Sequence, residues 1–136
     1  MSDKALIYIV EDEPELREIL TEALGHVGYE TESCSDGASL LRMVDDKKPD
    51  LILMDIGLPD MTGWDLQKKL QEDARVSSVP VIAVTGYGGA ALEATALKTL
   101  HFADFIRKPY SLADLMNRIE KVMESAPSKS AEHRAA

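Results

Sequence analysis

Five alternations of strand and helix, folded as an open parallel α/β sheet, are what this sequence predicts, and three observations carry the prediction. Its short apolar runs, such as Ala5 to Val10, are continuous rather than alternating, the pattern of a strand covered on both faces. Between them lie stretches with apolar residues at three- and four-residue spacing, the period of an amphipathic helix. The length of 136 residues suits one domain with a single core.

The first strand, Ala5 to Val10, stops at Glu11-Asp12-Glu13. Pro14 suits the first turn of a helix, and Leu16, Ile19, Leu20, Ala23, Leu24 and Val27 form its stripe until Gly28 ends it. Tyr29 to Cys34 is a weaker strand, Ala38 to Val44 a short helix with Leu41 on its buried side, and Pro49-Asp50 a turn. Leu51 to Met54 is the third strand and ends in Asp55. The turn-rich segment from Gly57 to Gly63 leads to a helix that carries Trp64 and Leu70 and runs to about Asp73. Val79 to Val84 is the fourth strand, Thr85-Gly86-Tyr87-Gly88-Gly89 a flexible loop, and an Ala/Leu-rich helix continues to Leu100. Ala103 to Ile106 is a short fifth strand, closed by Lys108-Pro109. Ser111 with Asp114 forms a capping box for a last helix with the stripe Leu112, Leu115, Met116, Ile119, Val122 and Met123. The domain is therefore expected over residues 4–124. Residues 125–136 form a small polar tail, far short of a second domain.

Composition removes several classes of function. With 15 basic and 24 acidic residues the net charge is -9, which repels phosphate backbones and anionic lipid heads, so no direct nucleic-acid partner is expected. Cys34 is the only cysteine, which excludes an intramolecular disulfide and a Cys/His metal cluster and fits a reducing cytosol. The apolar run before Glu11 is too short for a signal-peptide core or a membrane span, so a cytoplasmic protein without membrane insertion is expected.

In an open parallel sheet the functional crevice lies beyond the carboxyl ends of the strands. There the sequence places Glu11 and Asp12 after strand one, Asp55 after strand three, Thr85 after strand four and Lys108 after strand five. Each has a bland explanation alone. Asp12 could cap the first helix with Glu15, Asp55 could be a turn residue, Thr85 a loop hydroxyl bonded to its own backbone, and Lys108 a solvated charge. Together they put three carboxylates, a hydroxyl and an ammonium on one rim, which favours a functional site. A divalent cation would neutralise the excess negative charge, and oxygen donors without Cys or His point to a hard ion such as Mg2+. Asp55, kept ionised, is then a carboxylate nucleophile able to form an aspartyl-phosphate, with Lys108 and the Thr85 hydroxyl holding the transferred group's oxygens.

The segments Val10-Glu11-Asp12-Glu13-Pro14, Leu51-Ile52-Leu53-Met54-Asp55, Leu58-Pro59, Val84-Thr85-Gly86 and Lys108-Pro109 resemble the receiver domains of two-component signalling, chemotaxis-regulator type. The likeness runs from about Lys4 to Glu124. It implies a doubly wound, five-stranded flavodoxin-like (βα)5 fold in the strand order 2-1-3-4-5. It further implies that Asp55 is the phosphoacceptor, Asp12 and Asp55 direct Mg2+ ligands, Glu11 a ligand through water, and Gly57 a ligand through its carbonyl. Thr85 becomes the switch hydroxyl, Lys108 the cation paired with Asp55 or its phosphate, and the Lys108-Pro109 bond cis. Phe105 stands where the family keeps its switch aromatic, although an aromatic in so short a strand also fits plain core packing. Two departures stand out: Gly86 replaces a common Ala and loosens its loop, and His101-Phe102 replaces the usual Gly-Ala, which implies strain in the turn before strand five. His26, His101 and His133 do not read as phosphorelay histidines.

The resemblance implies a single-domain response regulator that takes its phosphoryl group from a sensor histidine kinase or histidine phosphotransfer protein. It would signal to a downstream protein through its altered surface and dephosphorylate itself. A phosphorelay intermediate or phosphate sink is the variant within that class. A haloacid-dehalogenase-like phosphatase is disfavoured because Gly57 stands where its second Asp belongs, and a non-phosphorylated binding module is expected to lack some of the acids.

Overall fold

The computed structural model describes residues 4–86 and 90–125. Parallel strands β1 (Leu6–Val10), β2 (Glu30–Cys34), β3 (Leu51–Asp55), β4 (Val81–Thr85) and β5 (Asp104–Arg107) form one sheet in the order β2-β1-β3-β4-β5. This is the doubly wound, flavodoxin-like topology expected from the resemblance. Every residue of β1, β3 and β4 is buried, which is why those runs are continuously apolar. Alternate residues serve opposite layers. Leu6, Tyr8 and Val10 pack with Leu40 and Val44 of α2 (Gly37–Asp46) and Leu66 and Leu70 of α3 (Gly63–Glu72). Ile7 and Ile9 pack with Leu20 and Leu24 of α1 (Pro14–His26) and Leu115 and Ile119 of α5 (Leu112–Ser125). Helix α4 (Ala90–Thr99) adds Leu97 to the first layer. No described helix is long and apolar enough to cross a membrane.

The helix ends settle the local chemistry. Glu13, not Asp12, is the N-cap of α1 and makes no side-chain cap bond, so the Asp12–Glu15 capping box does not form. Helix α2 starts earlier than expected because Asp36 accepts from the Ser39 amide at 2.7 Å, and Thr62 caps α3 through the Asp65 amide at 3.1 Å. The last helix has half of its predicted box. Ser111 Oγ accepts from the Asp114 amide, while the Asp114 carboxylate turns to Arg118. Ile19 and Val27, assigned to the apolar stripe of the first helix, are 49% and 59% exposed, and Leu112 of the last is 40% exposed. Ile19 lies a residue off the Leu20–Leu24 line, about 100° around the helix, and Val27 is already the C-cap. Strand β2 begins at Glu30 rather than Tyr29, past a turn in which Gly28 has φ 105°.

Two further expectations hold. His101 sits at φ 57° in the left-handed region, the strain anticipated before the last strand, and the Lys108-Pro109 bond is cis. The anticipated loop at Tyr87–Gly89 and the tail from Ala126, with His133, lie outside the described residues.

Tyr8 fastens α2 to the sheet: its hydroxyl donates to the carbonyls of Lys47 at 2.6 Å and Met43 at 3.2 Å. Burial, with smaller contributions from Glu32 and Asp46, pushes this phenol up to about 12. The folded state therefore holds the proton more tightly than the unfolded chain, and the associated stability is lost as pH rises from 10 through 12. Tyr8→Phe is expected to lower unfolding free energy by about 1–3 kcal/mol at pH 7 in urea titrations and to flatten the alkaline decline. Gly63 is needed for close approach, since a Cβ there would lie 2.6 Å from Ile56 Cδ1 and 2.7 Å from Ile56 Cα. Gly63→Ala should cost about 1–3 kcal/mol by the same measurement.

Candidate functional site

The register of the sheet makes the site. Val10 pairs with Met54, so the residues that follow, Glu11 and Asp55, emerge side by side. Asp55 in turn pairs with Val84, which brings Thr85 alongside. The Thr85 carbonyl accepts from the Lys108 amide at 2.7 Å and fixes the start of the lysine side chain across the end of β4. Lys108 Nζ then reaches Asp55 Oδ2 at 2.9 Å and Glu11 Oε1 at 3.4 Å. Glu11, Asp55 and Thr85 are buried at 3%, 8% and 1% exposure. Asp12 is exposed, yet Glu11, Asp12 and Asp55 each offer an oxygen within 4.8 Å of the others.

Further contacts hold these groups in place. The Gly57 amide donates to Asp55 Oδ1 at 2.9 Å, and the Glu13 amide to Glu11 Oε2 at 3.1 Å. Arg17 donates to the Glu11 carbonyl at 2.7 Å. Burial, reinforced by the Asp55 charge, pushes the Glu11 carboxyl up to about 7, against the Glu13 amide and Lys108, which pull it down. Burial also opposes the charge on Lys108, but its hydrogen bond to Asp55 and the nearby Glu11 hold its pKa well above the ordinary lysine value.

The donor set fits a hard divalent ion. Three carboxylate oxygens lie within one coordination sphere's reach, with no His or Cys among them, and one ammonium does not balance their charge. The residues anticipated on one rim, Glu11, Asp12, Asp55, Thr85 and Lys108, are thus brought together, with Gly57 adjoining through its amide.

Phe105 is buried at 1% and stacks on Trp64 with centroids 6.3 Å apart and planes 15° apart. Trp64 also meets Phe102 edge-on at 5.9 Å. The ring therefore sits as core packing requires. Three residues escaped the sequence reading. Gln67, wholly buried, donates from Nε2 to the Leu100 carbonyl at 2.8 Å, while its Oε1 has no partner among the described residues. Asp60 accepts from the Gly37 amide at 2.9 Å and the Ala38 amide at 3.0 Å. The Tyr110 hydroxyl is buried without a partner among the described residues. Only Asp60 had a legible signal, as an acid in a turn.

Residues 7–120 match the response regulator receiver domain family. The chain belongs to that family. It is 38% identical over 117 residues to the sensory transduction protein RegX3 of Mycobacterium bovis, and 33% identical over 117 residues to the phosphate regulon transcriptional regulatory protein PhoB of Pseudomonas aeruginosa. Each alignment covers 86% of this chain but 50% and 51% of those proteins, so the chain spans about half the length of the curated relatives it matches. The signal receiver domain of a signal transduction histidine kinase from Syntrophus aciditrophicus superposes with TM-score 0.80 at 30% identity, covering 89% of this chain and 91% of that one. Receivers are signalling phosphoacceptors rather than conventional enzymes, partner with histidine kinases or phosphotransfer proteins, and bind Mg2+ at an acidic pocket.

The raised Glu11 carboxyl gives this receiver a pH dependence of known sign. A folded-state pKa above the unfolded value near 4.5 contributes stability below that value and loses it as pH rises through about 7. In EDTA the melting temperature is expected to fall between pH 5 and pH 8, measured by circular dichroism. Glu11→Gln should flatten the fall, and Mg2+ should offset it.

Proposed function

We propose that this receiver accepts a phosphoryl group on Asp55 from the phosphohistidine of a sensor kinase or phosphotransfer protein, and that Mg2+ is required. The observation that carries this reading is the Lys108 ammonium 2.9 Å from the buried Asp55, beside buried Glu11 and exposed Asp12. Lys108 and the Gly57 amide each hold one oxygen of Asp55, which orients the carboxylate. An Asp55 oxygen attacks phosphorus, a P–O bond forms, the P–N bond to the donor histidine breaks, and the imidazole keeps the electron pair and takes a proton. Glu11, Asp12, Asp55 and the Gly57 carbonyl would hold the ion, which when bound neutralises charge on the phosphoryl oxygens. Lys108 and the Thr85 hydroxyl would take the remaining oxygens, and water would later hydrolyse the acyl phosphate.

Signalling follows from Thr85 and Phe105. A hydroxyl drawn toward the phosphoryl group shifts the end of β4, whose Val84 and Ala83 pair with Ile106 and Phe105 of β5. The altered face around α4, β5 and α5 is then what a downstream protein reads. Residues 4–124 are the receiver unit in this reading, and the lone Cys34 fits a reducing, cytoplasmic setting.

Intact mass spectrometry after incubation with acetyl phosphate tests the acceptor, where the P–O bond to acetate breaks instead. A gain of one phosphoryl group is expected for the wild type with Mg2+, and none with EDTA or in Asp55→Asn. A gain in Asp55→Asn would remove Asp55 as acceptor. The same result with EDTA would remove the metal requirement, and no gain from either acetyl phosphate or a phosphohistidine donor would leave a binding module instead.

A further inference from the structure

A carboxylate on the β3–α3 connection is left unused by this reading. We infer that Asp60 is a positioning residue for the metal site, anchoring the loop that presents Gly57 and, through Gly57, the carboxylate of Asp55. The inference rests on the proposed role of Asp55 and Gly57 as Mg2+ ligands.

The loop is closed at its base and clamped at its tip. At the base, the Gly63 amide donates to the Ile56 carbonyl at 2.7 Å, and Gly57 and Thr62 face each other in an antiparallel bridge. From that base the Gly57 amide reaches back to Asp55 Oδ1 at 2.9 Å. At the tip, Asp60 Oδ1 accepts from the Gly37 amide at 2.9 Å and Oδ2 from the Ala38 amide at 3.0 Å, so both carboxylate oxygens grip the first turn of α2. Charge-assisted bonds of this kind to backbone amides are about twice as strong as neutral ones. The same two bonds hold the Asp60 carboxyl below the usual range although the residue is exposed.

A second contact sets the same register. Met61 lies so close over Gly37 that a Cβ there would be 2.7 Å from Met61 Cγ and Sδ. Helix α2 is itself a fixed post, tied to the sheet at its far end by Tyr8. The loop beside Asp55 therefore leans on a rigid support at Asp60 and Met61, both outside the Glu11–Asp12–Asp55 cluster.

The plain alternative is that Asp60 only caps α2. That helix has its own cap in Asp36, whose side chain accepts from the Ser39 amide. Comparing the two aspartates separates the roles. Capping alone predicts lower stability in both variants and unchanged Mg2+ affinity. Positioning predicts that Asp60 alone moves the affinity.

The experiment is isothermal titration of the full chain with MgCl2, together with thermal melts, for wild type, Asp60→Ala, Asp60→Asn and Asp36→Ala. Asp60→Ala is expected to weaken Mg2+ about tenfold, in line with other groups that orient metal ligands. Asp60→Asn keeps one acceptor oxygen and should fall between. Asp36→Ala should melt earlier with unchanged Mg2+ affinity. Equal Mg2+ affinity in wild type and Asp60→Ala, with an earlier melt, would overturn the inference and leave the metal reading standing. Absence of Mg2+ binding by the wild type would overturn the metal reading and this inference with it.

Discussion

Direct pairing of β1 with β3 forces two buried carboxylates into each other's company, and much of the remaining architecture answers that crowding. Removing a charge from water costs several kcal/mol unless it is paired and hydrogen-bonded. Glu11 and Asp55 get amide donors from Glu13 and Gly57 on their own segments, and a shared cation from far along the chain. That cation starts two strands from Asp55, roughly 10 Å away at the usual strand spacing. A lysine is long enough to cross β4, and the Thr85 carbonyl bonded to its amide aims it. The order β2-β1-β3-β4-β5 is thus a condition for the site as well as a description of the fold.

The helices on one face of the sheet brace the loops around this rim. Tyr8 ties the end of α2, Asp36 and Asp60 satisfy its first amides, and Thr62 starts α3 immediately after the Gly57 loop. From α3, Trp64 lies flat on Phe105 and Gln67 holds the Leu100 carbonyl, just before the left-handed turn at His101. Contacts from one helix therefore reach both the β3–α3 side of the rim and the approach to β5.

The fold was legible because burial on both sheet faces leaves unbroken apolar strands, and the acids that end them stand out against such runs. The gathering of these residues on one rim was legible for the same reason: Glu11, Asp12 and Lys108 follow, and Asp55 and Thr85 end, strands of five residues or fewer at the one edge where an α/β sheet gathers polar groups. Periodicity failed where exposure depends on a rotation of about one residue, as with Ile19, because 3.6-residue spacing defines a stripe without fixing its edges. At the first helix the two readings of Asp12 part: Glu13 takes the N-cap position and Asp12 joins the acid cluster. Asp60 was legible as an acid in a turn, but its partner, like that of Gln67, was not, because Gly37 and Leu100 are 23 and 33 residues away.

If Asp55 is phosphorylated as proposed, the packing around Phe105 sets how far the change travels. The phosphoryl group brings close to two negative charges to a position where Lys108 already serves two carboxylates. Its pull on Lys108 and Thr85 is therefore a difference between two charged states, worth a few kcal/mol. Against it stands a Phe105 ring that is 1% exposed and stacked on Trp64, an arrangement worth about 0.5–1.5 kcal/mol beyond burial itself. Exposing such a ring loses about 1.5–3 kcal/mol more, and without a hydroxyl Phe105 regains none of it by hydrogen bonding to water. Inverting a two-state balance from 1:99 takes about 5.5 kcal/mol, so for a receiver poised there phosphorylation alone would shift the balance only part of the way. In the proposed switch, a downstream protein that buries the displaced face would supply the remainder.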